Sequence, residues 1–272
     1  MKKSVKALLF ILAAVFTGVF LFSGYKLYSI MHDYKVSEQK YNSLSDQYVT
    51  SAPKTTPFAV NENQQPQATV APKELDLEVD FAGLRSQNSD IVGWIYSPGT
   101  VINYPIVQVA DNDYYLHRHI DGTYSGGGSI FMDYACSSDF SGINTILYGH
   151  HMNDGSMFAG IDNWGKQAYY EAHPVLWLLT PEQDYKVVLF SGYTTSAFSE
   201  TYEIYREPGP EWEAFRDGRL EKSDFTAVVD LTGCEKTVTL STCAYVFDFA
   251  RHVLHGALVP VGHAVEIPEG LY

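Results

Sequence analysis

The sequence is poor in cysteine, in basic residues and in charge altogether. Its 272 residues include 3 Cys, 18 Lys and Arg, and 32 Asp and Glu, so the formal net charge is −14. Three cysteines are too few for a disulfide scaffold in a chain of this length. The shortage of basic residues argues against nucleic-acid binding, because no basic stripe is present that could displace counterions from phosphates. The length allows one or two domains.

Sequence motifs for common cofactors are also missing. The run Ser125-Gly126-Gly127-Gly128 is not followed by the Lys-Ser/Thr of a phosphate-binding loop, and we interpret it as a flexible hairpin. The pairs His117/His119 and His252/His255 come without the Cys or carboxylate spacing of a zinc site. The sequence therefore predicts an activity without a metal or another cofactor.

The N-terminus carries the first positive signal. Lys2, Lys3 and Lys6 precede an uncharged run of 18 residues, Ala7–Gly24. A helix of that length spans about 27 Å, close to the roughly 30 Å hydrocarbon core of a bilayer. We interpret residues 1–6 as a cytoplasmic tail and residues 7–24 as a transmembrane anchor, with the rest of the chain outside the cell. A cleaved signal peptide and a buried core helix are the alternatives; bulky residues at the −3 position disfavour the former.

The remaining chain divides into a stalk and a β-rich domain. Residues 25–74 combine loose helical periodicity with a segment, Ser51–Lys73, that holds four prolines among polar residues and predicts a linker. Residues 75–272 form the predicted folded domain. It begins with a helical pattern over Glu74–Gln87 and contains further helical segments at Met157–Ala168 and Glu211–Arg219. Short apolar strands separated by turn residues predict a β-barrel or sandwich. The candidate strands are Ile91–Tyr96, Ile102–Val109, Gly128–Met132, Thr145–Tyr148, Val175–Thr180, Tyr185–Gly192, Thr226–Asp230, Thr237–Cys243 and Val253–Val261.

The segment Glu235–Cys243 has the pattern most suggestive of chemistry. Val238 and Leu240 alternate with Thr237, Thr239, Ser241 and Cys243, which predicts a strand with one apolar face and one small polar face towards a cleft. Cys243 ends the polar row, where a thiol is accessible; a buried structural cysteine is the alternative. Cys136 and Cys234 carry no evident role and either pair with each other or stay buried thiols.

Two further residues are candidates to act with Cys243. Arg251 follows a loop and directly precedes the next strand, which predicts a position beside Cys243 from which a guanidinium stabilises a thiolate or an oxyanion; a plain surface arginine is the alternative. His150 follows a strand and Gly149, and its imidazole titrates near neutral pH, as a general acid and base requires. His151 points to the other side of an extended chain, so we expect it to be a surface or packing residue.

These residues resemble a known family. Thr239-Leu-Ser-Thr-Cys243 followed by Arg251 is similar to the signature of the sortases, membrane-anchored cysteine transpeptidases of Gram-positive bacteria. An ordered set of further segments resembles the class B subgroup over residues 75–272. These segments are Val79–Leu84, Asp90–Ile95, Tyr104–Val107, Asn112–Leu116, Gly128–Asp133, Tyr148–His150 and Asp154–Phe158.

The resemblance implies a mostly β fold: an eight-stranded sortase barrel with N-terminal helices and a helical insertion before the Cys strand, preceded by the transmembrane helix. It implies that Cys243 is the nucleophile, His150 the acid and base, and Arg251 the group that holds substrate or oxyanion. It also implies that Ser241, Thr242, Asn112 and Leu116 line the substrate pocket.

The implied reaction is cleavage of a C-terminal sorting motif after Thr and transfer of the acyl group to an amine. The resemblance implies surface proteins with an Asn-Pro-x-Thr-like motif as substrates and an amine of a lipid II-type cell-wall precursor as acceptor. A pilin-polymerising enzyme, a cysteine peptidase that only hydrolyses, and a tethered binding module without catalysis are the alternatives.

Overall fold

The N-terminal part of the chain is one long helix. The computed structural model describes residues 3–51, 75 and 77–261. Helix α1 (Lys3–Tyr48) has 46 residues and contains no proline, so nothing interrupts its hydrogen bonds. Its most apolar window of 18 residues has a mean hydropathy of 2.4 and no buried residue, so by length and composition it is a candidate membrane anchor.

The second half of α1 packs on the folded domain. Tyr41 and Tyr48 are buried there, and the Asn103 side chain donates a hydrogen bond to Ser45 Oγ at 2.9 Å. Strand β1 (Val49–Ser51) then pairs antiparallel with β2 (Leu77–Val79). The predicted linker lies almost entirely outside the described residues, and the limits assigned to tail, anchor, stalk and catalytic domain stay predictions.

Helix α2 (Phe81–Gln87) leads into the barrel. Asp80 caps it by accepting a hydrogen bond from the Gly83 amide at 2.9 Å. The helix predicted over Glu74–Gln87 is thus wrong in its first half, because the residues before Asp80 pair as β2. The apolar side chain of Leu84 anchors α2 in the core.

Eight strands within the described residues close into a barrel, which confirms the predicted fold. In space they follow the order β10-β8-β7-β3-β4-β5-β6-β9, and β9 pairs with β10 to close the ring. The pairs β4/β5 and β6/β9 are parallel and the others antiparallel. The strands are β3 (Ile91–Tyr96), β4 (Asn103–Val107), β5 (Ile130–Met132), β6 (Asn144–Tyr148), β7 (Val175–Leu179), β8 (Tyr185–Ser196), β9 (Thr237–Cys243) and β10 (Ala250–Pro260).

The core fills the barrel interior with aliphatic and aromatic side chains from alternate strand positions. Ile106, Leu240 and Leu254 are fully buried members of this cluster. Alternation along β9 places Val238 and Leu240 inside, as predicted, and the threonines on the outer wall.

Short helices occupy the long connections. A 3-10 segment (Ala159–Gly165) and α3 (Gln167–Ala172) lie between β6 and β7, and α4 (Pro210–Lys222) lies between β8 and β9 with Pro210 at its first turn. The strand predicted at Thr226–Asp230 is wrong. Each neighbouring barrel strand already has two partners, so no edge is open to it, and Val228 is 88% exposed.

Candidate active site

Cys243 and Arg251 are paired by the register of β9 and β10. The two strands are antiparallel and Arg251 lies directly opposite Cys243. Residues opposite each other in such a pair project from the same face with their Cβ atoms about 5 Å apart. The position beside Cys243 that the sequence predicted for Arg251 is therefore observed. Arg251 is half-buried and its Nη1 donates to the Ala250 carbonyl at 3.0 Å.

His150 reaches the same place from β6, which runs parallel to β9 with Tyr148 beside Ser241. The next residue, Gly149, continues the pairing: its amide donates to the Ser241 carbonyl at 3.1 Å, and its carbonyl accepts from Thr242 Oγ1 at 2.8 Å. A Cβ on Gly149 would lie 2.5 Å from Ile130 Cδ1 and 2.7 Å from the Phe158 ring. Only glycine allows the backbone to pass this close to its neighbours and deliver His150 beside the Cys strand.

The His150 ring is held in one orientation. Its Nε2 lies 2.8 Å from the Leu116 carbonyl oxygen, and a carbonyl only accepts, so Nε2 carries the proton and Nδ1 the lone pair. The ring also stacks on His117 with centroids 5.4 Å apart. Burial lowers the pKa of His150, the bond to Leu116 opposes that effect, and His117 adds to it. The imidazole is therefore mostly neutral near pH 7 and able to accept a proton.

All seven site residues that the sequence singled out line one cleft of about 300 Å³. The cleft also includes residues that the sequence analysis did not name as site residues. The full lining is Asn112, Leu116, Phe131, Tyr148, Gly149, His150, Ala197, Tyr202, Ser241, Thr242, Cys243 and Arg251.

Asp133 organises one wall of this cleft. The buried carboxylate accepts from Asn112 Nδ2 and from the Tyr148 hydroxyl, both at 2.9 Å. The Tyr134 amide donates to Asn112 Oδ1 at 3.0 Å, so both ends of the Asn112 amide are held. Asp133 and Tyr148 stand inside the segments that carry the family resemblance, so that resemblance was the signal that could have singled them out.

Tyr202 also lines the cleft, next to Tyr148. Its hydroxyl is 2.8 Å from Ser241 Oγ, and its ring stacks on Tyr148 with centroids 6.3 Å apart. Burial raises the pKa of Tyr202 to about 12, against the lowering effects of Ser241 and Arg251, so the phenol stays protonated. Tyr202 belongs to the long connection before β9, whose fold no local pattern reveals.

The polar face of β9 is open only at its end. Thr237 and Thr239 are fully buried, and Thr239 Oγ1 is 2.9 Å from His255 Nδ1. The β8–β9 connection packs over this outer wall through Leu220, Val229 and Leu231. The expectation that the whole row lines a cleft is therefore wrong, since Ser241 and Cys243 line the cleft and Thr237 and Thr239 do not.

Cys136, Cys234 and His151 do not line the cleft. Cys136 and Cys234 are buried thiols that do not pair, and burial raises the pKa of each to about 11. His151 Nε2 lies 3.5 Å from Asp162 at the surface. Among the described residues, no group of three or more His, Cys, Asp or Glu side chains could hold a metal ion. Asp248 is exposed in the β9–β10 loop, and the polar contact of His150 is Leu116.

Comparison with known proteins identifies relatives over most of the chain. No protein-family model matches it. Sortase B of Listeria monocytogenes serovar 1/2a is 32% identical over 250 residues, which cover 91% of this chain and 95% of that protein. Sortase B of Staphylococcus aureus is 35% identical over 163 residues, which cover 60% of this chain and 67% of that protein.

Solved structures agree with these relatives. Sortase B of Bacillus anthracis in complex with AAEK1 superposes with a TM-score of 0.67 and 31% identity, over 85% of this chain and all of that one. A sortase B–substrate complex from S. aureus gives a TM-score of 0.63 at 33% identity, over 67% of this chain and 85% of that one. A sortase B complexed with triglycine gives 0.63 at 34% identity, over 67% and 86% of the two chains. The sequence, the closed barrel and these matches agree, and the chain belongs to the class B sortases, a family of cysteine transpeptidases.

Proposed function

We propose that this enzyme cleaves a C-terminal sorting motif of surface proteins after a Thr residue and transfers the resulting acyl group to an amine of the cell-wall precursor. The observation that carries the proposal is the cross-strand pair Cys243/Arg251 with His150 in the same cleft. A thiol, a mostly neutral imidazole and a guanidinium are together sufficient for acyl transfer without a cofactor.

In the first half-reaction, the Cys243 thiol gives its proton to His150 and the thiolate attacks the Thr carbonyl carbon. The oxygen gains negative charge, and Arg251, opposite Cys243, is placed to stabilise it. The C–N bond then breaks, and the imidazolium of His150 protonates the departing amine. The product is a thioester between Cys243 and the substrate Thr.

In the second half-reaction, the roles of His150 reverse. The neutral imidazole removes a proton from the incoming amine, whose nitrogen attacks the thioester carbon. The C–S bond breaks and the thiolate of Cys243 is regenerated. Because the thioester retains the acyl transfer potential of the peptide bond, no nucleotide is consumed. The relative crystallised with triglycine supports an acceptor of this kind, since triglycine begins with a primary amine.

The lining of the cleft suits a motif of the Asn-Pro-x-Thr type. Asn112, Ser241 and Tyr202 offer amide and hydroxyl groups, while Leu116 and Phe131 offer apolar surface. Such a combination fits a peptide that presents both an amide side chain and a proline ring. We assign Ser241, Thr242, Asn112 and Leu116 to substrate binding on this basis.

We further propose that α1 holds the enzyme at the outer face of the cell membrane as a single span. Lysines precede the apolar window, which favours a cytoplasmic N-terminus. At the membrane surface, an enzyme, a lipid-linked acceptor and membrane-tethered substrates share a small volume, which raises their effective concentration.

The test is product analysis with the full-length enzyme. An Asn-Pro-x-Thr-containing peptide is incubated with and without triglycine, and products are identified by mass. We expect a triglycine adduct whose formation requires Cys243, with Cys234→Ala as the matched active control. An acid product alone, despite excess amine, would identify a peptidase. Transfer only to a protein lysine would identify a pilin polymerase, and adduct formation by Cys243→Ala would refute the proposed mechanism.

A further inference from the structure

The half of α1 that follows the apolar run presents a regular face to the barrel. Asp33, Ser37, Tyr41 and Ser45 recur every four residues, and Lys40 follows Ser37 by three. All five make polar contacts with residues beyond position 100. Spacing of this kind places them on one side of the helix. The face is a built interface, since polar contacts accompany the burial of Tyr41.

Most of these contacts reach one short segment, residues 119–129, which we call the docking loop. Lys40 Nζ donates to Asp121 Oδ2 at 2.6 Å and to Thr123 Oγ1 at 2.7 Å. Asp33 accepts from the Gly126 amide at 2.9 Å. The Tyr41 hydroxyl donates to the Gly128 carbonyl at 2.7 Å from a buried position.

The docking loop in turn packs against the segment whose Leu116 carbonyl orients the His150 ring. Its end packs against the backbone of the preceding 3-10 segment (Tyr114–His117), and the Ser129 amide donates to the Tyr115 carbonyl at 3.0 Å. Gly128 has φ +57°, and a Cβ there would collide with the Leu116 carbonyl oxygen. That oxygen is the one that accepts from His150 Nε2.

We propose that Tyr41, on the membrane-anchor helix, is a positioning residue for His150, acting through Gly128 and the Leu116 carbonyl. The inference rests on the role of His150 in the proposed function. Three contacts connect the two residues. The Tyr41 hydroxyl donates to the Gly128 carbonyl, and Gly128 packs against the Leu116 carbonyl oxygen. That oxygen in turn accepts the hydrogen bond of the His150 imidazole. Tyr41 lies 17 residues beyond Gly24, about 26 Å along the same helix, so one uninterrupted element joins anchor and active site.

Several titratable groups share the surroundings of His150. His117 stacks on its ring, Cys243 and Arg251 approach from β9 and β10, and Tyr148 and Tyr202 also line the cleft. The Tyr41 hydroxyl is hydrogen-bonded instead to the Gly128 carbonyl and to Ser129 Oγ. A change at Tyr41 therefore reaches His150 through the Leu116 carbonyl, whose hydrogen bond favours the protonated ring.

The experiment compares Tyr41→Phe with Tyr48→Phe in the full-length enzyme in detergent. Both substitutions remove a hydroxyl from a buried tyrosine of α1, but Tyr48 contacts α2 and its neighbour Gln47, far from the cleft. For Tyr41→Phe we expect kcat for transfer to fall on the order of tenfold, with little change in KM. The acidic limb of the pH–kcat profile moves to lower pH, because a weaker bond to Leu116 lowers the pKa of His150. For Tyr48→Phe we expect both quantities to match wild type.

A second pair of variants tests whether the effect of Tyr41→Phe is only a change in packing around Tyr41. Lys40→Met removes both contacts to the docking loop without touching Tyr41, whereas Lys35→Met changes an exposed lysine of the same helix. Lys40→Met is expected to move the acidic limb in the same direction as Tyr41→Phe, and Lys35→Met to leave it in place. Identical pH profiles for Tyr41→Phe and Tyr48→Phe, with His150→Ala inactive, would overturn this inference alone. Full transfer by His150→Ala would instead overturn the proposed role of His150.

Discussion

Two cross-strand pairs on β9 and β10 show how one chemical pattern yields two outcomes. Cys243 faces Arg251 at one end of the ladder, and Thr239 faces His255 four residues away. Both pairs join a small polar side chain to a basic one on the outer wall of the barrel. The first opens into the cleft, whereas the second is fully buried, with Thr239 Oγ1 and His255 Nδ1 2.9 Å apart.

The difference lies in what covers each pair. Beside His255, Leu220, Val229 and Leu231 of the β8–β9 connection form a cluster with Phe190, whose ring centroid lies 6.0 Å from that of His255. Cys243 and Arg251 instead line the cleft. Burial removes water from His255 and lowers its pKa well below the usual value, so it stays neutral and packs between Phe190 and Tyr193. The same polar face of β9 thus packs in the protein interior where it is covered, and presents a thiol to the cleft where it is open.

Replacement of Cys243 should have the largest effect. Cys243→Ala removes the proposed nucleophile, and we expect transfer to fall by at least about a thousandfold. Cys234→Ala, a buried thiol beneath the covered end, should keep full activity while losing on the order of 1 kcal/mol of stability. Rate assays and denaturant unfolding measure the two effects. If both variants lost activity to the same degree, the open end of β9 at Cys243 and its buried end would not differ in function as we infer.

Arg251→Ala should have the second-largest effect on activity. Removing a group that stabilises an oxyanion costs on the order of a hundredfold in kcat, and we expect that loss here because no other Arg or Lys lines the described cleft. Arg251→Lys should recover part of it, since an ammonium keeps the charge but not the geometry of the guanidinium. An unchanged kcat in Arg251→Ala would assign this residue to the surface, the plainer interpretation of its sequence position.

The smallest effect concerns stability at the covered end. Because the folded pKa of His255 lies below the unfolded value of about 6.5, the unfolded chain binds more protons as the pH falls through 6.5. Stability is therefore lost from about pH 7 downwards, and His119, His150 and His252 contribute in the same direction. His255→Gln should weaken this pH dependence. Denaturant unfolding on either side of the unfolded pKa, at about pH 7.5 and about pH 5.5, measures it, and an unchanged slope in the variant would speak against a neutral buried His255.

Much of the catalytic constellation could be predicted because it rests on local sequence. The alternation of Thr237–Cys243 indicates a strand whatever surrounds it, and the seven residues between Cys243 and Arg251 allow only a tight return. Asp133 and Tyr202 could not be singled out in this way. Asp133 supports the cleft and Tyr202 lines it through contacts that span 15 and 39 positions of sequence. At Thr226–Asp230 the local pattern was misleading instead. It suits a strand, but the closed barrel has no free edge with which that strand could pair.

The sequence by itself determined the apolar helix, the run of short strands and the residues able to perform acyl transfer, because periodicity and residue chemistry are local properties. Only the tertiary structure decided which part of the polar face on β9 is open, and which carbonyl orients His150. It also decided that the second half of α1 packs on the loop behind that carbonyl. Access and orientation depend on elements far apart in the chain, and their packing is not encoded in any one segment.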